Sequence, residues 1–200
     1  MHPNSKLLFQ KYALEHIKPG SKVLEIGPDR FPSSYRQLVS DSTLQWDTLD
    51  LYQDERLTYS SKSEYHFPVA DNTYDVVLSG QVLEHVAKIW RWMAELSRVC
   101  KVGGTVITIN PVSWPFHEAP LDCWRVYPDG MRALYEDSSL DVVLSEWESL
   151  EPHPWWRSLP GRSWKYQPKV QRLFAAGLGF IGVPVERSYD TVTVGRKQAA

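Results

Sequence analysis

Short apolar runs alternate with helical patterns along the first 110 residues of the chain. Apolar side chains at helical spacing in 7–17 and 89–100 predict two helices, the first of them capped by Asn4 and Ser5. Four apolar runs that end in glycine or a polar residue have the length of strands: 22–26, 44–51, 74–79 and 104–110. Because strands that alternate with helices form a parallel sheet covered on both faces, this pattern predicts the α/β class.

The second half of the chain extends this pattern and then departs from it. A helix is predicted from Pro128 through Tyr135, followed by strands over 140–144 and 189–194. Between these strands, 152–185 contains no Asp or Glu but carries five basic residues interleaved with tryptophan and tyrosine. We interpret this stretch as a basic aromatic insertion on the surface of a single domain that spans 1–200.

Composition limits the class of protein further. With 42% hydrophobic residues, a 200-residue chain can bury one sizeable core, and its net charge of −2 gives no general attraction for nucleic acid or anionic membranes. No signal peptide is visible, and prolines interrupt the longest uncharged run, so we expect no membrane span. Two cysteines, Cys100 and Cys123, are too few for a disulfide framework and fit a reducing, cytoplasmic environment.

Candidate binding residues follow the apolar runs. Ligands of open parallel sheets bind beyond the carboxyl ends of the strands. There, Gly27 lets the backbone approach a ligand closely, and Glu25 can attract a cationic group. Asp50 can accept two hydrogen bonds from a ribose, since a carboxylate is an acceptor only. The residues expected to hold a cofactor are Glu25, Gly27, Pro28, Asp50, Leu51, Ser79 and Gln81.

Several of these stretches together resemble the class I S-adenosylmethionine-dependent methyltransferases, over about 23–135. The run 23–27 looks like the family's first motif, and Asp50 stands where the family has its ribose-binding acid. The stretches 67–85 and 95–104 are similar to the branch that methylates small molecules and glycans. The resemblance implies S-adenosylmethionine as cofactor, with Glu64 near its adenine. It also implies a Rossmann-like three-layer sandwich with a mostly parallel, seven-stranded sheet and an antiparallel last pair.

The first motif departs from the family in its glycines. Members usually have two more glycines after Gly27, where this chain has Pro28, Asp29 and Arg30. Proline presets its own backbone angle, so a rigid turn can replace a flexible one, and we expect cofactor binding to be retained. A non-catalytic module of the same fold is the alternative that the missing glycines raise.

The connection 110–128 is rich in proline and aromatic residues and follows the strand 104–110. It resembles a His–Asp–Trp–Arg stretch of methyltransferases from glycan and natural-product pathways. Rigid aromatic rings can form a pocket wall while polar side chains orient a substrate. The expected substrate residues are Trp114, Asp122, Trp124 and Arg125. For Asp122 and Arg125 the alternative is an ion pair that locks the loop.

The resulting hypothesis is an enzyme that moves a methyl group to a hydroxyl of a small molecule or glycan. His117 or His85 would accept the hydroxyl proton, although His85 could also simply cap a helix. No cluster of carboxylates has metal-ligand spacing, so a metal-free mechanism is expected. The insertion suits an anionic acceptor such as a phosphorylated sugar, with a homodimer contact as the alternative. A nucleic-acid methyltransferase is a third hypothesis, and only the basic charge of the insertion supports it.

Overall fold

The structure is a computed structural model that describes residues 3–114, 116–118, 120–151 and 188–199, together with Gly177 and Phe180. Apart from these two positions, the predicted insertion 152–185 lies outside the described residues. Its surface role and the single-domain organisation therefore remain predictions.

A seven-stranded sheet forms the centre of the fold, in the order β3-β2-β1-β4-β5-β7-β6. Along the chain the strands are β1 (Lys22–Ile26), β2 (Gln45–Asp50), β3 (Tyr59–Ser60), β4 (Tyr74–Gly80), β5 (Cys100–Pro111), β6 (Leu140–Glu148) and β7 (Asp190–Lys197). Six of these strands coincide with predicted runs. Sequence analysis missed β3, because a two-residue strand is too short to show a hydrophobic period.

The direction of the strands corrects one expectation. A mostly parallel sheet was predicted, whereas the sheet is mixed: β7 runs antiparallel to both of its neighbours, β5 and β6. The pairs β3-β2, β2-β1, β1-β4 and β4-β5 are parallel. As a result, β1, β2 and β4 end at one edge of the sheet, where Ile26 lies beside Leu49 and Ser79.

Alternating side chains on the strands build two cores, one on each face of the sheet. On β4, Val77 packs in one core, while Val76 and Leu78 pack in the other. Two helices, α2 (Ile89–Val99) and α3 (Pro128–Asp137), cover the first face. The amino-terminal helical segment covers the second. Because both faces of the central strands are buried, these strands read as nearly continuous apolar runs.

The amino-terminal helix differs from its prediction. It begins earlier than expected, as α1 (Pro3–Leu8), and continues through a π-helical turn (Phe9–Ala13) and a 3₁₀ turn (Leu14–His16). Asn4 and Ser5 do not precede the helix as caps but are buried inside it. Asn4 donates to Asp190 Oδ2 over 2.5 Å, and the Ser5 hydroxyl lies 2.6 Å from that of Tyr35. Polar residues here join the helix to the sheet.

The described α-helices have at most 11 residues, whereas a bilayer span needs about 20. Within the described segments, none is both long enough and apolar enough to cross a membrane.

Candidate active site at the carboxyl edge of the sheet

The first strand leads into a loop that hydrogen bonds hold in place. Gly27 has a φ of +69°, a left-handed conformation that favours glycine. Its backbone N–H donates to Leu49 O over 2.9 Å. Asp29 accepts from the backbone N–H of Ser34 over 2.9 Å and from its hydroxyl over 2.8 Å. The Asp29 carboxylate thus closes the loop after Gly27, which contains no further glycine.

Glu25 lies beneath this loop and is 1% exposed. Its Oε2 accepts from Ser33 Oγ over 2.5 Å and from Trp46 Nε1 over 2.8 Å. Its Oε1 is buried and has no hydrogen-bond partner in the described part of the chain. Burial raises the pKa of the carboxyl from 4.5 to about 7. The carboxylate is therefore stabilised only in part and suits a cationic ligand.

Asp50 ends β2 at the same edge. Its Oδ1 accepts from the backbone N–H of Leu51 over 2.6 Å, whereas no hydrogen bond of a described residue reaches Oδ2. Burial raises the pKa of this carboxyl. Leu51 is 45% exposed, and Glu64 lies partly buried in the connection that follows β3. One oxygen of Asp50 is therefore open to a donor such as a diol, and the cofactor roles of Asp50, Leu51 and Glu64 all stay predictions.

The end of β4 carries the next group of predicted residues. Ser79 is buried, and its hydroxyl has no partner among the described residues. A Cβ built on Gly80 would come within 2.0 Å of the Tyr35 hydroxyl, so only glycine leaves room for that ring. Gln81 has a φ of +60° and donates its amide N–H to Asp190 Oδ1 over 3.1 Å. The Gln81 amide is thus directed to β7, and its contact with a cofactor stays a prediction.

These groups fit S-adenosylmethionine. A buried carboxylate oxygen without a donor, on Glu25, suits a cationic ligand, and an open oxygen of Asp50 suits a ribose diol. The left-handed Gly27 brings the backbone of the first loop close to Val82, just beyond β4. Contact with Val82 beyond the end of β4 therefore restricts the loop after Gly27, which lacks the two further glycines that are usual in the family.

A second group of residues lies where the connection after β5 packs on the turn after β4. This turn is a 3₁₀ helix (Leu83–His85). The backbone N–H of Cys123 donates to Glu84 O over 2.7 Å, and Trp124 Nε1 donates to Val86 O over 2.9 Å. Trp124 therefore anchors the loop with its indole N–H, and its predicted substrate contact is untested.

The two predicted bases meet in this region. The rings of His85 and His117 are arranged edge to face, with centroids 5.0 Å apart. Glu84 is 1% exposed, and its Oε1 lies 3.7 Å from His85 Nε2. Burial raises the pKa of the Glu84 carboxyl to about 8. Sequence analysis expected no metal ligands, yet the ligand atoms of these three residues all lie within 4.8 Å of one another.

Asp122 and Arg125 form a bidentate ion pair with distances of 2.5 and 2.8 Å. Arg125 also donates to the backbone carbonyl of Trp114 over 3.3 Å, and Asp122 accepts from the backbone N–H of His117 over 2.8 Å. Next to its charged partner the pKa of Asp122 is lowered. This is the loop-locking geometry given above as the alternative, and direct substrate contact by Asp122, Arg125 or Trp114 stays a prediction.

Some residues of this edge escaped sequence analysis. Glu84 was considered only as the neighbour of His85, although a carboxylate directly after a strand end is a signal in itself. Tyr35 and Asp190 are both fully buried, and they join the first loop and β7 to α1 through Ser5 and Asn4. No local pattern marks them, because each depends on contacts between distant parts of the chain.

Comparison with protein families gives a match over part of the chain. Residues 39–108 match the family model described as a methyltransferase domain. A protein of Mycobacteroides abscessus, described as an uncharacterized methyltransferase, is 46% identical over 55 residues. These residues make up 28% of this chain and 21% of that protein, so the chain matches about a fifth of its relative's length.

Solved structures match over nearly the whole chain. The protein solved in complex with the Haloferax volcanii Trm112 methyltransferase activator has a TM-score of 0.65 at 16% identity, over 98% of this chain and 91% of its own. An S-adenosylmethionine-dependent methyltransferase of Archaeoglobus fulgidus has a TM-score of 0.64 at 15% identity, over 96% and 92%. At such identities the likeness shows the fold alone.

A third structure was solved with the cofactor bound. Phosphoethanolamine N-methyltransferase 2 of Haemonchus contortus, in complex with S-adenosyl-L-methionine, has a TM-score of 0.61 at 15% identity. The match covers 98% of this chain and 53% of that one. The cofactor is named for that protein, and at 15% identity the likeness to this chain shows the fold alone. Residues 39–108 are thus similar to a methyltransferase domain, and the strand order and the solved structures show that the chain has the fold of the class I S-adenosylmethionine-dependent methyltransferases.

Proposed function

We propose that this protein is an enzyme that transfers a methyl group from S-adenosylmethionine to a hydroxyl of a small molecule or glycan. The observation that carries the proposal is the contact between the two halves of the site. A Cβ on Gly27 would lie 2.4 Å from Val82 Cγ2, so the first loop touches the chain just before the turn that carries Glu84 and His85. Residues suited to the cofactor therefore adjoin residues suited to proton transfer.

The half of the site that contains Glu25 and Asp50 would bind and orient the cofactor. Asp50 would hold the ribose and Glu25 would place a negative charge near the cationic end of the cofactor, while the hydrogen bonds between Asp29 and Ser34 hold the loop closed. When bound, the cofactor supplies a methyl carbon that is made electrophilic by a sulfonium. Because the transfer is an in-line displacement, the main tasks of the protein are to align the acceptor and to exclude water.

The half of the site that contains His85 and His117 would accept the proton of the acceptor hydroxyl. A hydroxyl is a poor nucleophile until a base within about 2.6–3.2 Å takes its proton, which is typically worth 10²–10⁴-fold in rate. His85 and His117 are partly exposed, with side-chain exposures of 18% and 28%, whereas Glu84 is buried behind them. Both imidazoles are therefore accessible from solvent, and we assign the role of base to one of them.

Two features favour a hydroxyl and an active enzyme over the alternatives. The neighbour from Haemonchus contortus is named for methylation of phosphoethanolamine nitrogen, but that description applies to that protein alone. An amine that is already neutral needs less help from a base, so a pair of histidines at the acceptor side favours oxygen. The missing glycines, which raised a non-catalytic module, are compensated by the hydrogen bonds of Asp29.

Two assays in sequence test the proposal. Calorimetry should first show binding of S-adenosylmethionine, and a radiolabelled methyl group should then move to members of a panel of sugars and phenols. Matched amino analogues of the same compounds are the control for the acceptor atom. Binding without transfer to any acceptor would support the non-catalytic module, and transfer confined to amines would refute O-methylation.

A further inference from the structure

We propose that Glu84, His85 and His117 form a binding site for a divalent transition-metal ion. Their ligand atoms all lie within 4.8 Å of one another, although the residues come from two different connections of the sheet. Two imidazoles and one carboxylate are a ligand set that zinc and other first-row metals use when three protein groups leave a position open.

The carboxylate of Glu84 is the independent observation that points to a cation. Glu84 is 1% exposed, and neither of its oxygens has a hydrogen-bond partner among the described residues. Its Oε1 faces His85 Nε2 at 3.7 Å. A buried carboxylate without donors is costly, and a bound cation removes that cost. No other function described for this edge explains why an acidic side chain is buried there.

Outer contacts orient both imidazoles. His85 Nδ1 lies 2.5 Å from the backbone carbonyl of Leu121. A carbonyl can only accept, so Nδ1 carries the proton of the neutral ring and Nε2 presents its lone pair toward Glu84. His117 Nδ1 lies 3.4 Å from Asp122 Oδ2, which also accepts the backbone N–H of His117. Carboxylates and carbonyls that hold the far nitrogen of a histidine are typical of metal sites.

The spacing of the three groups suits an ion of this size. Zinc lies about 2.0–2.2 Å from nitrogen and oxygen ligands, which places the ligand atoms of a tetrahedral site about 3.3–3.5 Å apart. The pair Glu84 and His85 is close to that spacing at 3.7 Å. The wider separations, up to 4.8 Å, close when the side chains move inward by about one ångström.

The consequence for catalysis rests on the proposed function, whereas binding of the ion does not. An ion here competes with protons for the nitrogens of His85 and His117. It favours the ionised form of an acceptor hydroxyl, whose proton then leaves to solvent instead of to a histidine. The acceptor oxygen would form its bond to the methyl carbon as the carbon–sulfur bond breaks. The ion therefore changes only where the proton goes and not which bonds form and break.

Metal titration of the full-length chain tests the site. The protein, without a histidine tag, is treated with a chelator, desalted and titrated with Co²⁺. We expect one saturable site per chain, with the intense visible bands of four- or five-coordinate Co²⁺ and displacement by Zn²⁺. Absence of saturable Co²⁺ and Zn²⁺ binding in the folded protein would overturn the proposal.

Variants locate the site. Glu84→Gln, His85→Ala and His117→Ala should each weaken Co²⁺ binding by roughly tenfold or more. The controls His16→Ala and His66→Ala remove imidazoles outside the cluster and should leave the affinity unchanged. Equal affinity in the parent and in a folded cluster variant would show that the ion binds elsewhere.

A measurement on the parent protein covers the case in which a variant fails to fold. Diethyl pyrocarbonate modifies accessible imidazoles, and mass spectrometry reads the extent at each histidine. Zn²⁺ should protect His85 and His117 several-fold while His16 and His66 react as before; unchanged labelling of all four would refute the site. Neither method reads methyl transfer, so failure of the metal site and failure of the proposed activity are distinguishable.

Discussion

The rings of His85 and His117 meet edge to face, with their planes at 84° and their centroids 5.0 Å apart. One ring follows β4 and the other follows β5, so the contact depends on how the two connections pack. Backbone and side-chain hydrogen bonds from Leu121, Asp122 and Cys123 hold this packing. A substitution at either histidine therefore alters the packing of the other ring.

The first prediction concerns Asp50, the carboxylate proposed to bind the ribose. Asp50→Ala should weaken binding of S-adenosylmethionine by about 1.5–3 kcal/mol, the scale of a hydrogen bond to a charged group. Calorimetry measures this change. Asp54→Ala is the matched control, because Asp54 lies in the connection that follows Asp50 but pairs with Arg56. Unchanged affinity in folded Asp50→Ala would end the assignment.

The second prediction concerns His117, one of the two proposed proton acceptors. In protein kept free of metal ions by a chelator, His117→Ala should lower kcat by about 10²–10⁴-fold, while the dissociation constant for S-adenosylmethionine changes little. Steady-state kinetics and calorimetry on the same preparation separate the two effects, with His66→Ala as control. If His85→Ala shows this signature and His117→Ala does not, the base is His85. If neither does, a histidine base is wrong.

The third prediction concerns the left-handed glycine of the first loop. In Gly27→Ala the new Cβ would be strained by a φ of +69° and would clash with Val82 Cγ2 at 2.4 Å. The backbone strain should cost about 1–2 kcal/mol of unfolding free energy, and the overpacking about 1–3 kcal/mol more.

Urea unfolding of a double-mutant cycle separates these two contributions. In a Val82→Ala background the clash is relieved, so Gly27→Ala should cost only the strain of the backbone. An equal cost in both backgrounds would mean that Val82 does not restrict the loop.

The fourth prediction concerns pH. The pKa of Glu25 is raised from 4.5 to about 7 by burial, so the folded protein holds this proton more tightly than the unfolded chain. The stability that results is complete below about pH 4.5 and is lost as the pH rises through 7. The cofactor-free protein should lose about 3 kcal/mol over this range relative to Glu25→Gln, which stays neutral.

Urea unfolding of both proteins at pH 5 and pH 8 checks this difference. The two proteins share their other titrating groups, so only the gap between their free energies of unfolding reports on Glu25. A gap that stays constant with pH would show that Glu25 titrates near its ordinary value.

The sequence by itself determined the central strands, the helices α2 and α3, and the edge of the sheet that carries the candidate site. The reason is local: β1 and β4 are buried on both faces, so their apolar runs end visibly at Gly27 and near Gly80. Strand ends in turn select Glu25, Asp50 and Ser79 as candidates without knowledge of any contact.

Only the tertiary structure decided which polar side chains contact one another. Asn4 and Ser5 look like a helix cap in sequence, but both are buried, and Asn4 bonds to Asp190 near the other end of the chain. Glu84 and His117 lie in separate connections, and packing of one on the other brings their ligand atoms together. Hydrophobic periodicity reports which face of an element is buried, whereas a polar cluster is defined by contacts between elements that no periodicity encodes.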